Sequence, residues 1–334
     1  MCRGGNMTIA FVTGGTGFLG GRLIKMLVNR GWQVRALHRS PGDAAKLAAL
    51  GAVPVPGDLD SVEALTRGIG DAEVVFHAAA LFKLWGSAEA FERANVDGTR
   101  NVLAAAKARG VKRFVQIGAG AVVMGEGKPM LGVNEDAPQT FPKWAPYTAS
   151  KGRAQQLVLA ADDPSGMRTA IILPPMIWGA GMPMIRETIH NVNAGRFRWP
   201  GGGKSLMSTA HVENVCHAAL LAAESATGGR AYFVTDGRDR NLREVMGTLL
   251  ATQGVDPGNR SAPLGVAWFM ATVMEALWRT FRLRGEPPLT RQMLRLVGYD
   301  FTMSDRRARD ELGYAPVVTW EQGVEEMRAG ALRP

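Results

Sequence analysis

The feature that most constrains the fold is a glycine loop held between a strand and a helix near the start of the chain. Thr8-Ile-Ala-Phe-Val12 is an apolar strand pattern, and it runs directly into Thr13-Gly-Gly-Thr-Gly-Phe-Leu-Gly20. Glycines 14, 17 and 20 give G-x-x-G-x-x-G, and a helical pattern from Phe18 to Asn29 begins inside it. Gly14 permits the tight turn, Gly17 lets a pyrophosphate approach the backbone, and Gly20 lets the helix pack close to the sheet. The helix N-terminus offers unpaired N–H groups and a positive dipole end to phosphates. The loop therefore predicts a bound dinucleotide, with Gly14, Thr16, Gly17, Phe18, Leu19 and Gly20 as its contacts.

Downstream, short apolar runs alternate with helical patterns. Gln33–Leu37, Val53–Val55, Glu73–His77, Arg113–Ile117 and Thr169–Leu173 read as strands. Asp43–Leu50, Val62–Arg67, Asn95–Arg109 and Tyr147–Asp162 read as helices. This rhythm predicts an α/β fold: a Rossmann-type, doubly wound parallel sheet with ligands at the carboxyl ends of its strands. After Leu173, proline, glycine and tryptophan become frequent through Gly203, which suggests a lid or substrate lobe. Val212–Glu224 is again helical, and Ala231–Thr235 reads as a last sheet strand. Ser304 is the expected cap of a helix that Gly313 stops, and Thr319 with Gln322 forms a capping box before the final helix. The expected organisation is a dinucleotide domain over residues 1–173, rejoined by about 206–236. A smaller, mostly helical C-terminal substrate lobe then comprises 174–205 and 237–334.

Composition narrows the setting. The chain has 334 residues, 46% hydrophobic and 21% charged, as a globular protein should. Its two cysteines, Cys2 and Cys216, make no disulfide framework, which points to a reducing, cytoplasmic compartment. Met1–Asn6 has no apolar signal core and reads as a disordered leader, with Met7 an alternative start. The formal charge is +9, and it is uneven: eight arginines between Arg279 and Arg309 face only Glu286, Asp300 and Asp305. No aromatic platforms or recognised motif accompany them, which argues against nucleic acid and for a solvated surface or one facing acidic lipid. Just before them, Leu264 to Trp278 is apolar apart from Glu275. Leu264, Trp268, Ala271, Met274 and Trp278 share one helical face, which suits packing on the lobe. The alternative for 264–284 is a peripheral membrane contact through which apolar substrate enters.

The second strand bears on the choice of dinucleotide. An acid at its end would hold the ribose 2′-hydroxyl of NAD. Here it ends Arg35-Ala-Leu-His-Arg39-Ser40, without one. The planar fork of Arg39 suits a 2′-phosphate instead. NADP(H) is expected over NAD(H), with NAD(H) the alternative.

Further segments share a pattern with the glycine loop. They are Asp58-Leu59, His77-Ala78-Ala79-Ala80, Asn95-Val-Asp-Gly-Thr99, Pro174-Pro-Met-Ile177-Trp-Gly179 and His211-Val-Glu-Asn-Val215. Together they resemble the extended short-chain dehydrogenase/reductase superfamily over nearly the whole chain. Arg39-Ser-Pro-Gly42 and the apolar C-terminal lobe are most similar to its 3β-hydroxysteroid dehydrogenase and dihydroflavonol-reductase-like branch. The resemblance implies adenine contacts at Asp58 and Leu59 and cofactor lining at Ala78, Ala79, Ala80 and Asn95. It also implies a nicotinamide-side wrap at Pro174 and Ile177. Homodimerisation through a four-helix interface is common in that superfamily.

Tyr147-Thr-Ala-Ser-Lys151 places a phenol and an ammonium on one helix face. A neighbouring cation favours phenolate and would lower the tyrosine pKa, making Tyr147 the acid–base of a hydride transfer. The resemblance adds that Lys151 binds the nicotinamide ribose. One departure stands out. The superfamily's Ser or Thr after the fifth strand falls at Ala119 or Gly120, neither of which has a hydroxyl. Thr148 or Ser150 could substitute, or a water or the Gly120 N–H; otherwise the chain binds NADP(H) without catalysis. The usual arginine before Pro174 is also replaced, by Leu173. Phe82, Leu84, Trp85, Met124, Trp144, Trp178, Met182 and Met184 divide between core packing and an apolar substrate wall. That favours a steroid, terpenoid, flavonoid or long acyl ketone. Arg186, Arg196, Arg198 and Lys204 keep a nucleotide-sugar epimerase or dehydratase as the alternative. His211, Cys216 and His217 fall on different helix faces, so no metal is expected, and His77 reads as a strand-end hydrogen bonder.

Overall fold

The computed structural model describes residues 7–125 and 128–331, so the leader expected at Met1–Asn6 lies outside the described residues. Seven parallel strands form the main sheet: β1 (Ile9–Thr13), β2 (Gln33–His38), β3 (Val53–Pro56), β4 (Val74–His77), β5 (Arg113–Ile117), β7 (Arg168–Leu173) and β12 (Arg230–Phe233). Their order is β12-β7-β5-β4-β1-β2-β3. The winding reverses between β1 and β4, where Thr13 lies opposite His77, so the ligand crevice of such a sheet falls there, at the carboxyl ends.

The sheet is parallel because both of its faces are apolar and covered. Side chains alternate across a strand, so Ala10 and Val12 of β1 enter one core and Phe11 enters the other. On the first face, Leu23, Ile24 and Leu27 of α1 (Phe18–Asn29) meet Val215, Ala218 and Ala219 of α8 (Val212–Glu224). On the second, α3 (Val62–Ile69), α5 (Gly98–Ala108) and α6 (Pro146–Ala160) bring Leu65, Val102, Leu103 and Val158 against Phe114 and Ile171. The short α2 (Asp43–Ala49) and α4 (Ala88–Phe91) complete this half.

A second sheet was not legible in the sequence, because its strands are two to four residues long. It joins β6 (Met130–Val133), β10 (Leu206–Met207), β13 (Arg240–Asn241) and β15 (Phe301–Met303) in the order β13-β10-β15-β6. Two further pairs link β8 (Met176–Trp178) to β11 (Thr209–His211), and β9 (Trp199–Pro200) to β14 (Ser261–Ala262). Around them lie α7 (Pro183–Asn193), α9 (Leu242–Ala251), α10 (Leu264–Thr280), α11 (Arg291–Val297), α12 (Arg306–Leu312) and α13 (Trp320–Ala329). Trp178, Met182, Ile185, Trp199, Val245 and Leu249 form a third core there. Among the described residues no helix is long and apolar enough to cross a membrane.

The Thr319–Gln322 capping box is present, and Gly313 ends α12 in the left-handed conformation. Ser304 stands one residue before the N-cap position, which Asp305 occupies, and its Oγ accepts the N–H of Arg306, the first residue of α12, at 3.4 Å. Its N–H donates to Val133 O at 2.8 Å, prolonging the contact of β15 with β6, and α12 starts one residue later from Asp305. The helix expected from Asn95 begins at Gly98, because Glu92–Asp97 forms a wider π-helical turn.

Candidate active site

The glycine loop shapes a cradle at the switch point. Gly14 has φ +75°, and a Cβ there would lie 2.6 Å from Ala79 N. Two expected cofactor segments therefore touch backbone to backbone. A Cβ on Gly20 would lie 2.1 Å from Gly14 O, so Gly20 packs against the loop itself rather than against a strand as expected. Gly17 and Thr16 are exposed, no side chain caps α1, and its first turn has no acid. The leading N–H groups of Phe18 and Leu19 have no helical partner, while their side chains pack on the first core. An uncapped, acid-free helix start behind bare glycine backbone fits a pyrophosphate.

Thr13 and His77 hold the crevice floor. Thr13 Oγ1 accepts the Ala79 N–H at 3.3 Å and lies 2.7 Å from His77 Nδ1. Thr99 Oγ1 donates to Asn95 O, so it accepts from His77 Nε2 at 2.9 Å. His77 is thus the Nε2-protonated tautomer. Burial, and then the nearby Lys151, push its pKa down to about 3. It is a neutral connector of β1, β4 and α5, not a base.

At the adenine side, Arg39 follows β2 with its side chain 81% exposed, 3.9 Å from the Asp58 carboxylate. Asp58 Oδ1 accepts the Leu59 N–H at 2.6 Å, and Asn101 Nδ2 donates to Leu59 O at 2.9 Å. Ala78 packs on the first core and Ala80 is exposed beyond it.

The Tyr–Lys pair sits at the start of α6, where Pro146 occupies a position that needs no N–H partner. Lys151 is 4% exposed, and its Nζ donates to Ile117 O, at the end of β5, at 2.7 Å. Burial lowers its pKa to about 8. Tyr147 is buried, with its ring edge-on to Phe82 at 5.2 Å and to Phe91 at 6.3 Å. Its pKa is raised above the ordinary value, not lowered as expected, because desolvation of a buried phenolate dominates. In the chain alone Tyr147 is a protonated acid.

Asn95 is buried behind the crevice and joins its walls. Its Nδ2 donates to Ser150 Oγ at 2.9 Å and to Leu81 O at 3.3 Å, and its Oδ1 accepts the Leu81 N–H at 2.7 Å. It therefore positions the segment leading to Phe82 against α6, beside the face expected to line the cofactor.

The missing hydroxyl has a structural counterpart. A Cβ at Gly120 would lie 2.2 Å from Met303 Cε, so β15 fills that space. The Gly120 N–H donates to Pro174 O at 3.0 Å and is not free for a substrate. Ser150 Oγ donates to Tyr147 O at 2.8 Å, and the buried Thr148 Oγ1 accepts from Gln292 at 2.9 Å. Ser150 and the Gly120 N–H thus donate elsewhere, while Thr148 is fully buried and held by Gln292 as an acceptor. Gln292 and Met303 were missed by sequence reasoning, since no local spacing connects them to α6 or β5.

The apolar candidates divide. Trp178, Met182 and Met124 are core, Met184 packs against the third cluster, and Trp178 Nε1 donates to Asp236 at 2.7 Å. Ile177 packs on the first core, and Pro174 is buried beside Gly120. Phe82 is 62% exposed against Tyr147. Trp85 lies under Arg279, and Trp144 meets Trp268 at 5.4 Å. Arg196 bonds Asn191, and Arg198 bonds the Gly195 and Phe197 carbonyls, so neither guanidinium is held toward the crevice. His211 caps α8 and lies 3.3 Å from Glu326; among the described residues no three His, Cys, Asp or Glu gather as metal ligands.

Comparison with known proteins agrees with this architecture. A model of the "3-beta hydroxysteroid dehydrogenase/isomerase family" matches residues 11–264. A 4-hydroxy-2-methyl-3-oxo-4-farnesyl-3,4-dihydroquinoline-1-oxide ketoreductase of Stigmatella aurantiaca is 43% identical over 95% of both chains. A 2-alkyl-3-oxoalkanoate reductase of Stenotrophomonas maltophilia is 35% identical over 96% of this chain and 98% of its own. Among solved structures, the dTDP-glucose 4,6-dehydratase DesIV of Streptomyces venezuelae, with NAD bound, superposes with a TM-score of 0.75. It is 21% identical over 97% of this chain and 96% of its own, a likeness of fold.

Proposed function

The chain belongs to the 3-beta hydroxysteroid dehydrogenase/isomerase family, and on that premise we propose that it interconverts a hydrophobic ketone and its secondary alcohol with NADP(H). The observation that carries this reading is the buried Tyr147–Lys151 pair, walled by Phe82 and Phe91 beside the glycine-loop crevice. The bound nicotinamide supplies or takes the hydride. Tyr147 gives its proton to the carbonyl oxygen in reduction and recovers one in oxidation. Lys151, anchored on Ile117 O, would hold the ribose hydroxyls through its remaining N–H groups. With Ser150 and the Gly120 N–H donating elsewhere, water is the account we favour for the second carbonyl donor. We assign cofactor binding to residues 1–173 with about 206–236, since α8 and β12 return to the main sheet. The lobe of 174–205 and 237–334 is assigned to the substrate.

NADP(H) over NAD(H) follows from the exposed Arg39 and the lack of an acid at the end of β2. A steroid, terpenoid, flavonoid or long acyl ketone follows from the aromatic rim and from the farnesyl and alkyl substrates that name the two relatives. The nucleotide-sugar alternative is weakened by the local engagement of Arg196 and Arg198, two of the four cations it rests on, the others being Arg186 and Lys204. The cytoplasm is the proposed compartment, consistent with a buried free Cys216.

The test is NADPH fluorescence against steroids, long acyl ketones and nucleotide sugars, in wild type and Tyr147→Phe. Ketones should oxidise NADPH, and the variant should lose about 100-fold or more in kcat with cofactor affinity kept. Turnover of nucleotide sugars without net NADPH consumption, or an indifferent Tyr147→Phe, would refute the reading.

A further inference from the structure

We propose that Gln292 selects ketones with a hydroxyl beside the reacting carbonyl, its side-chain amide receiving that hydroxyl. This names a substrate class for the site already described, so as a statement about turnover it rests on the proposed function. Gln292 lies on α11 and is 2% exposed. Its Nε2 donates to Thr148 Oγ1 at 2.9 Å, and its Oε1 is buried with no hydrogen-bond partner among the described residues. Buried polar side-chain atoms are nearly always paired, and an acceptor left alone is costly. A donor that arrives with the ligand accounts for such an atom next to a catalytic residue.

Position says which part of the ligand is recognised. Thr148 directly follows Tyr147, and consecutive Cα atoms lie about 3.8 Å apart. A group that pairs with the amide therefore sits within a few bonds of the carbonyl that Tyr147 protonates. Phe82 and Phe91, edge-on to Tyr147, come from the dinucleotide half. Gln292 comes from the lobe assigned to the substrate. Its helix is held against the segment before Tyr147 by Arg291 and Arg295, which lie over Trp144 at 5.3 and 5.8 Å, and by Arg295 Nη2, which donates to Thr140 Oγ1 at 2.6 Å. The amide is thus fixed before a substrate enters, as recognition of a single hydroxyl requires.

Chemistry narrows the donor. An amide carbonyl accepts from O–H or N–H and does not pair with a carboxylate or a second ketone. An ammonium would give up its hydration for one neutral partner, which a buried position makes unfavourable. A neutral hydroxyl fits, and it fits either orientation of the amide. Turning the amide over presents N–H where the carbonyl stood, and a hydroxyl both donates and accepts. The reacting ketone has no O–H of its own, so the hydroxyl is a second group on the same substrate.

The experiment compares matched ketones that differ by one hydroxyl beside the carbonyl: butyroin with butyl propyl ketone, and benzoin with deoxybenzoin. NADPH oxidation gives kcat and KM for each in wild type and in Gln292→Met, which keeps the stem and removes both amide atoms. Tm is recorded with NADPH alone and with each ketone added. Wild type should favour the hydroxyketone of a pair by about tenfold or more in kcat/KM. The preference should be carried by KM, because the hydroxyl is held before and during transfer alike. In Gln292→Met the ratio within the pair should fall to about one. Wild type indifferent to the hydroxyl overturns the proposal, and that arm needs no substitution. A variant that keeps the preference overturns it too. A variant that fails to fold, or that loses both members of a pair equally, makes Gln292 a structural prop of α6 and equally overturns it. Turnover of the plain ketones without a hydroxyl preference leaves the proposed function standing. A rise in Tm with the hydroxyketones that depends on Gln292, without turnover of any ketone, leaves the recognition standing and removes the proposed function.

Discussion

Replacing Lys151 with Met tests whether the chain really holds a desolvated ammonium at its catalytic centre. Nζ is bound to Ile117 O, and burial lowers the pKa from 10.5 to about 8. Below pH about 8 the folded chain must carry the buried charge, so the full destabilisation is present. Between about 8 and 10.5 the folded lysine is neutral while the unfolded one is still protonated. The unfolded state then binds more protons, so stability rises with pH across that window. At 1.36 kcal/mol per pKa unit the whole effect is about 3 kcal/mol, of which about 2 kcal/mol is regained between pH ~7 and ~9.5. Methionine matches the lysine stem and titrates nothing. His77 remains neutral across the range, since its pKa lies near 3. Urea unfolding of cofactor-free wild type and Lys151→Met across that range should therefore show the stability difference moving by about 2 kcal/mol in favour of wild type. A difference that stays constant with pH would refute the burial argument, and with it the account of why this amine seeks ribose hydroxyls.

Three other outcomes follow from the geometry. Arg39→Glu should raise the KM for NADPH about tenfold or more with little effect on NADH; equal effects on both would remove the 2′-phosphate contact. Gly20→Ala, whose Cβ would lie 2.1 Å from Gly14 O, should destabilise the fold by about 2–4 kcal/mol and abolish dinucleotide binding, seen by thermal melts and cofactor fluorescence. Gly120→Ser alone drives its Cβ into Met303, but combined with Met303→Ala it has room. The double variant should lose about 2–4 kcal/mol of stability for the truncated methionine, yet reduce ketones on the order of 100-fold faster than Met303→Ala alone.

The main sheet could be read from the sequence because its signals are local. A glycine loop, alternating apolar runs and Y-x-x-x-K are each complete within about twenty residues. Helix Phe18–Asn29 and strand Arg113–Ile117 fall where the pattern places them. The second sheet could not be read, because strands as short as Leu206–Met207 leave no alternation to detect. The same limit applies at the site. Tyr147 and Lys151 share one helix, whereas Gln292, which engages the Thr148 hydroxyl, lies 144 residues away. The phenol pKa was misjudged for a related reason. Spacing puts the phenol and the amine on one helix face, but the direction of the shift is set by desolvation, which comes from the packing around Tyr147, including Phe82 and Phe91, brought together by the fold.

Gly120 and Met303 are best understood as one feature. The Gly120 backbone is pinned to Pro174 O on one side, and β15 presses the Met303 thioether against its Cα on the other. A side chain at 120 would therefore disturb the contact between the two sheets, so the hydroxyl cannot be restored by changing that residue alone. In the proposed reaction, proton delivery falls to Tyr147. Its burial keeps the phenol protonated at neutral pH, which is the form ketone reduction starts from. Oxidation of an alcohol starts from the phenolate, which the same burial disfavours. In the cofactor-free chain the phenol is thus held in its protonated form, and the second hydroxyl is excluded by packing rather than by a single local substitution.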